Sequence, residues 1–219
     1  MEYAKGSPDD LLIRISVHNR GPEAAELHVL PTLWFRNQWS WRNDSDRPTL
    51  RDVSPVPSGG VVEAVEPELG KHFLHVEGDA PLLFTENETN TRRIFGVENR
   101  SPYVKDSIND YVVHGRKEPV NPEKRGTKVA ADFQRSVPAG ASRVIRPRLN
   151  RAEPSSSAEG NGDPSGPFDS RFDEVFQSRR DPMSFMREGG TSAFRIRRRS
   201  RTAVCSAATQ TNADPSGFR

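Results

Sequence analysis

A chain of 219 residues in which 28% of the side chains are charged, but whose net charge is only +2, offers no general electrostatic case for a nucleic-acid or membrane partner. Hydrophobic residues make up 33%, and with the 16 glycines the apolar share still falls below the usual level of about 45–50%, so the core is expected to be small for the length. The single cysteine, Cys205, excludes an internal disulfide and fits a reducing compartment. No apolar run approaches the roughly 18 residues of a membrane span, and Pro8-Asp9-Asp10 leaves no signal-peptide core behind Met1, so the expected location is the cytoplasm.

Leu11, Ile13, Ile15 and Val17 alternate with Arg14 and Ser16, which predicts a half-buried antiparallel strand. Asn19-Arg20-Gly21-Pro22 signals a turn, and Ala25 to Phe35 carries Leu27, Val29 and Leu33 on one parity, so the pair reads as a hairpin. Pro31 has no N–H to give a neighbouring strand and implies an edge or a bulge. Residues 42–60 read as a polar loop, followed by short strands at Val61–Val65, His72–Glu77 and Pro81–Thr85. Arg92–Val97 and Tyr111–His114 are two further strand candidates. Lys128–Val137 alternates and is expected to turn through Pro138-Ala139-Gly140-Ala141 into Ser142–Leu149 as a second hairpin. Short strands near ten residues apart with turn residues between them predict a mainly β chain, an antiparallel β-sandwich over 1–150.

After Asn150 the composition changes. Residues 151–167 are rich in Ser, Gly and Pro and read as a flexible linker. Phe172, Val175, Phe176 and Arg179 recur with helical spacing, which predicts one short helix over 168–187, too narrow in its apolar stripe to stand alone. In 188–219, Arg195, Arg197, Arg198, Arg199 and Arg201 crowd together and no period survives, so a disordered Arg-, Ser- and Ala-rich tail is expected. Its composition resembles an out-of-frame reading of GC-rich DNA.

The three tryptophans, Trp34, Trp39 and Trp41, lie in Leu30-Pro31-Thr32-Leu33-Trp34-Phe35-Arg36-Asn37-Gln38-Trp39-Ser40-Trp41. On an extended strand Trp39 and Trp41 share a face, a geometry suited to packing under a neighbouring sheet or to stacking on a sugar. Glu86 and Glu88 would stand about 6.5 Å apart at Cα on a strand, within the range of glycosidase carboxylates. Their surroundings, Thr85 to Asn90, are turn formers that suit a positioning loop, and no catalytic residue is assigned. Tyr103, Lys105, Asp106, Asn109, Asp110 and His114 form a second polar cluster. His72 and His75 face opposite sides of their strand, no zinc spacing exists, and neither metal nor cofactor is expected.

The words Glu2-Tyr3-Ala4-Lys5, Asn19 to Glu23, Leu30 to Trp41, Leu82 to Asn90, Ser101 to Gly115 and Val120 to Lys128 resemble, in this order, a segment of bacterial glucosidase-like proteins related to glycoside hydrolase family 63. These include proteins similar to mannosyl-oligosaccharide glucosidase and mannosylglycerate hydrolase. The resemblance implies a two-part enzyme, with an N-terminal β-domain packed on an (α/α)₆ toroid that carries both catalytic carboxylates. On that reading the chain is the non-catalytic part of the β-domain, lacking upstream strands before Met1, and its helix leads toward a missing toroid. Its partners would then be that toroid and, through the full-length enzyme, an oligosaccharide. Ser107 stands where the family pattern has glycine, and a turn needing positive φ would be strained there. Trp34, Trp39, Trp41, Glu86, Asn87, Glu88, Asn90, Lys105, Asp106, Asn109, Asp110 and His114 are the candidates for contact with substrate or partner domain. The alternative is a free-standing β-sandwich module that binds carbohydrate or protein through a ridge of Trp34, Trp39 and Trp41.

Overall fold

The computed structural model describes residues 1–40, 47–54, 59–154 and 166–180, and the backbone of 204–211. In chain order the strands are β1 (Glu2–Ser7), β2 (Asp10–His18), β3 (Ala25–Trp34), β4 (Thr49–Asp52), β5 (Gly60–Glu66), β6 (Gly70–Val76) and β7 (Leu82–Thr85). Helices α1 (Thr91–Phe95) and α2 (Ser107–His114) follow, then β8 (Arg125–Gly126), β9 (Lys128–Ala131), β10 (Phe133–Val137), β11 (Ser142–Ile145) and β12 (Pro147–Asn150). Helix α3 (Ser170–Arg180) and β13 (Val204–Thr211) complete the described elements.

The chain is mainly β, with two antiparallel sheets face to face. One sheet runs β1-β2-β12-β6-β5-β4-β8, with β11 also on β2; the other runs β10-β3-β9-β7, with β13 on the free side of β3. The alternation read in Leu11–Val17 does place Ile13 and Ile15 in the core. They meet Leu27, Val29, Leu33 and Phe35 from β3 and its end, Val62 and Ala64 from β5, Leu74 and Val76 from β6, and Phe84, Val129 and Phe133 from the second sheet.

The outer faces are covered too. On the first sheet Leu12 and Ala4 are buried under Phe172 and Phe176 of α3. Arg14 clamps that helix, its guanidinium 4.2 Å from the Phe176 ring and 2.5 Å from Asp173. On the second sheet Leu30, Leu83 and Ala130 pack against Ile108 of α2, with Tyr111 and Val112 beside them.

Neither expected hairpin forms. β2 and β3 sit in different sheets, as do β10 and β11, so both links are arches that cross the sandwich. The reason is that the apolar face of each strand meets that of its successor across the core, not beside it. Asn19 ties the two arches together. Its Nδ2 donates to Glu23 O at 2.7 Å and Val137 O at 2.8 Å, its Oδ1 accepts from Gly21 N at 2.9 Å, and its own N donates to Ala141 O at 3.0 Å.

The segments expected as strands at Arg92–Val97 and Tyr111–His114 do not extend: Arg92–Phe95 belongs to α1, with Gly96 as its cap, and Tyr111–His114 to α2. In α1, Asn90 Oδ1 caps Arg93 N at 3.0 Å and Gly96 closes the end at φ 69°. In α2, Ile108, Tyr111 and Val112 form a helical stripe toward β3, and Gly115 closes it at φ 65°. Ser107 simply opens α2, and the positive-φ residue other than glycine among those described is Lys124, so no strain arises at Ser107. β4 lies inside the stretch read as a polar loop, and β1 carries too weak an alternation to be read beforehand. The strands expected at 128–137 and 142–149 form, each split in mid-course, at Asp132 and Arg146. Asp132 leaves its ladder to donate its N–H to Pro81 O at 2.9 Å.

Within the expected linker only 151–154 and 166–167 are described; within the expected tail, the backbone of 204–211 pairs with β3 from Leu27 to Trp34, and the remaining residues, with 181–187, lie outside the described ones. Pro31, expected at an edge, thus faces Ala207 in that ladder.

Candidate functional site

Four of the sequence words that carry the family resemblance meet at one end of β7. The turn after it, Glu86 to Glu88, runs beside 103–105, with Glu86 N on Tyr103 O at 2.7 Å and Lys105 N on Glu88 O at 3.0 Å. From the β8–β9 segment, Thr127 N donates to Thr85 O at 3.1 Å, while Thr127 Oγ1 donates to Glu86 Oε2 at 2.7 Å and accepts from Asn87 N at 2.8 Å. Gly126 is needed for this approach, since a Cβ there would fall 2.3 Å from Thr85 O. The segment after β3 joins through Asn87 Nδ2 on Phe35 O at 2.9 Å and Trp39 Nε1 on Glu88 Oε1 at 2.9 Å.

Glu86 and Glu88 share one cation. Arg47 Nη2 pairs with Glu86 Oε2 and lies 3.4 Å from Glu88 Oε1, and its guanidinium is 5.4 Å from the Trp39 ring. Glu88 is buried. With Arg47, Thr127 and Trp39 all bonded to them, these carboxylates brace three loops; they do not form a free acid–base pair. A catalytic couple needs one carboxyl held neutral and aimed at the leaving group.

Beside the braced loops lies a cleft of about 520 Å³. Neutral hydrogen-bonding side chains, Asn37, Ser40, Asn87, Thr89 and Thr91, line half of it, with Lys105 and Arg100 as its cations, Glu88 and Glu98 as its acids, and Val97. Lys105 Nζ donates to Thr89 Oγ1 at 3.3 Å. Lys128 Nζ, under the loop, donates to Lys105 O at 2.8 Å; burial first, and the Lys105 charge second, lower its pKa from the ordinary value. Amides and hydroxyls beside charges of both signs suit a neutral polyhydroxylated ligand, which both gives and accepts hydrogen bonds.

The sequence candidates divide accordingly. Trp39, Glu86, Asn87, Glu88 and Lys105 gather at the braced loops. Asn90 and Asp106 sit next to them, joined by Asn90 Nδ2 on Asp106 Oδ2 at 3.2 Å. Asn109, Asp110 and His114 lie along α2, with Asn109 and His114 exposed. Trp34 ends β3 on the parity of Leu30 and Thr32, whereas Trp39 sits on a turn and packs against the central core. The two rings therefore form no common strand face, and Trp41 lies outside the described residues. Sequence reasoning missed Arg47 and Thr127. Arg47 was hidden in a stretch read only as polar loop, but Thr127 stands in one of the family-like words and was within reach.

Among the described residues no group of three His, Cys, Asp or Glu side chains could hold a metal ion, and no helix is long and apolar enough to cross a membrane. No protein family description matches the sequence, and no solved structure does. An uncharacterized protein of the yeast Saccharomyces cerevisiae is 30% identical over 201 residues, a match covering 80% of this chain. The chain spans 18% of that relative's length.

Proposed function

We propose that this chain is part of the non-catalytic β-domain of a glycoside hydrolase related to family 63. It would support oligosaccharide hydrolysis carried out by an (α/α)₆ domain. The parent enzyme would use one carboxyl as general acid and another as general base toward water, both on the toroid. The observation that carries the reading is the convergence of Leu30–Trp41, Leu82–Asn90, Ser101–Gly115 and Val120–Lys128 on one braced loop system beside a cleft half lined by hydroxyls and amides. Those words are far apart in the chain, yet the fold makes one surface of them. The antiparallel sandwich supports the reading, and so does the match to a much longer relative, 18% of whose length is covered. A reducing, cytoplasmic setting belongs to the proposal on the strength of the single Cys205. The free-standing sugar-binding ridge is less favoured, because Trp39 is half-buried and its indole N–H is committed to Glu88.

The test is an assay of the full-length yeast relative and of this chain on gluco-oligosaccharides and mannosylglycerate. Turnover by the relative, lost on deleting the region that matches this chain and absent from this chain alone, supports the proposal. An inactive relative, or hydrolysis by this chain alone, overturns it.

A further inference from the structure

Helix α1 buries none of its five residues, and the run from Arg92 to Glu98 is exposed throughout. A helix this short has no stability of its own in water. It is held instead by a polar clamp at its base. Asn90 Oδ1 accepts from Arg93 N and from Asn99 Nδ2 at 3.1 Å; Asn99 Oδ1 accepts from Thr91 Oγ1 at 3.0 Å and Arg92 N at 3.1 Å; Asp106 Oδ2 accepts from Arg93 Nη1 at 3.2 Å. What this clamp presents is apolar: Ile94, Phe95 and Val97 are 59%, 69% and 61% exposed. Large apolar side chains grouped on a fixed turn are not the scattered surface hydrophobics of an ordinary monomer.

The charges around the knob choose the occupant. Arg92, Arg93 and Arg100 surround it, with Glu98 as the acid between them. Arg92 and Arg93 keep 71% and 64% of their side chains exposed despite their ion pairs with Glu98 and Asp106, and Arg100 has no ion-pair partner among the described residues. A second copy docking α1 on α1 would bring two sets of arginines together, which costs free energy. A surface with an apolar groove edged by carboxylates has the matching shape and sign.

We propose that α1 is a preorganised anchor for a protein surface bearing an apolar groove rimmed by Asp and Glu, with Phe95 and Ile94 as the inserted side chains and Arg92, Arg93 and Arg100 reading the rim. Ordering the anchor beforehand removes an entropic cost from binding. The proposal stands on this geometry and does not depend on the glycosidase reading.

The probe is a fluorescein-labelled two-helix peptide whose facing leucine stripes form an apolar groove edged by glutamates, titrated with the whole chain and followed by anisotropy. A second peptide carries lysines in place of the glutamates. The expected result is saturable binding of the glutamate peptide, at least tenfold tighter than the lysine peptide and weakening as salt rises. It should be lost in Phe95→Asp and reduced in Arg92→Glu/Arg93→Glu. Both variants change exposed side chains, so thermal unfolding of Phe95→Asp is measured to show that it folds. No saturable binding of the glutamate peptide, equal binding of the two peptides, binding that survives Phe95→Asp in a folded protein, or self-association through α1 in sedimentation would each overturn the assignment. Hydrolase assays do not enter this readout, so failure here and failure of the glycosidase reading are separate outcomes.

Discussion

The imidazole of His75 lies in β6 with its Nε2 buried and unbonded, and burial holds its pKa below the ordinary 6.5, outweighing hydrogen bonds to the Ala152 backbone and the Asn150 side chain that would raise it. The unfolded chain therefore takes up its proton first as pH falls. The contribution of His75 to stability is whole above pH 6.5 and is lost progressively below it, down to its folded-state value. Urea midpoints at pH 7 and pH 5.5 should fall more steeply in the native chain than in His75→Gln; parallel falls would refute the assignment. Glu63 acts in a lower window. Arg51 first and Lys71 after it outweigh burial and lower its pKa from 4.5, so its support disappears only as pH drops below that value. At this scale the sequence told much about which residues matter and little about what they do. Glu86 and Glu88 were visible as a pair, but their common partner Arg47 lies about forty residues away, and no local pattern announces a shared guanidinium.

Helix α3 shows what an element needs from its surroundings. Its stripe of Phe172, Val175 and Phe176 was readable, and so was its need for a dock, but not the site, the outer face of β1 and β2 where Ala4 and Leu12 wait. Phe172 is fully buried, and its truncation in Phe172→Ala removes contacts of a kind that cost about 3–5 kcal/mol in a core. Since the helix can detach, the loss to the whole fold is capped at the docking energy. The expected result is faster protease cleavage around residues 166–180, with the sandwich intact by thermal unfolding. A uniform drop in unfolding temperature without local cleavage would show instead that α3 is inseparable from the sheet. Helix α1, which buries none of its residues, is set by its caps at Asn90 and Gly96, whereas α2 was misread for a related reason. Tyr111, Val112 and Val113 favour strands as isolated residues, and in so short a run only the partner surface, Leu30 and Leu83, decides the period.

For the molecule as a whole, the mainly β character and the antiparallel pairing were legible, whereas strand number and pairing partners were not. A turn signal such as Asn19-Arg20-Gly21-Pro22 says that the chain reverses, and leaves open whether the next strand pairs beside the last or faces it across a core. Here the second outcome holds twice, and Asn19 is the side chain that fastens both crossings. Asn19→Ala removes hydrogen bonds to Glu23 O, Val137 O and Gly21 N, each worth about 0.5–1.5 kcal/mol net, so stability should fall by about 2–3 kcal/mol. The adjacent exposed Arg20 makes the control, since Arg20→Ala should stay within about 0.5 kcal/mol of the native chain. In urea the Asn19→Ala midpoint should drop with an unchanged slope, because the two sheets share one core and still unfold together. If both variants cost the same, Asn19 is only a turn residue and the arches are held by the core alone. If the slope falls as well, the arches are what couples one sheet to the other, and cutting their common tie lets the sandwich open in steps.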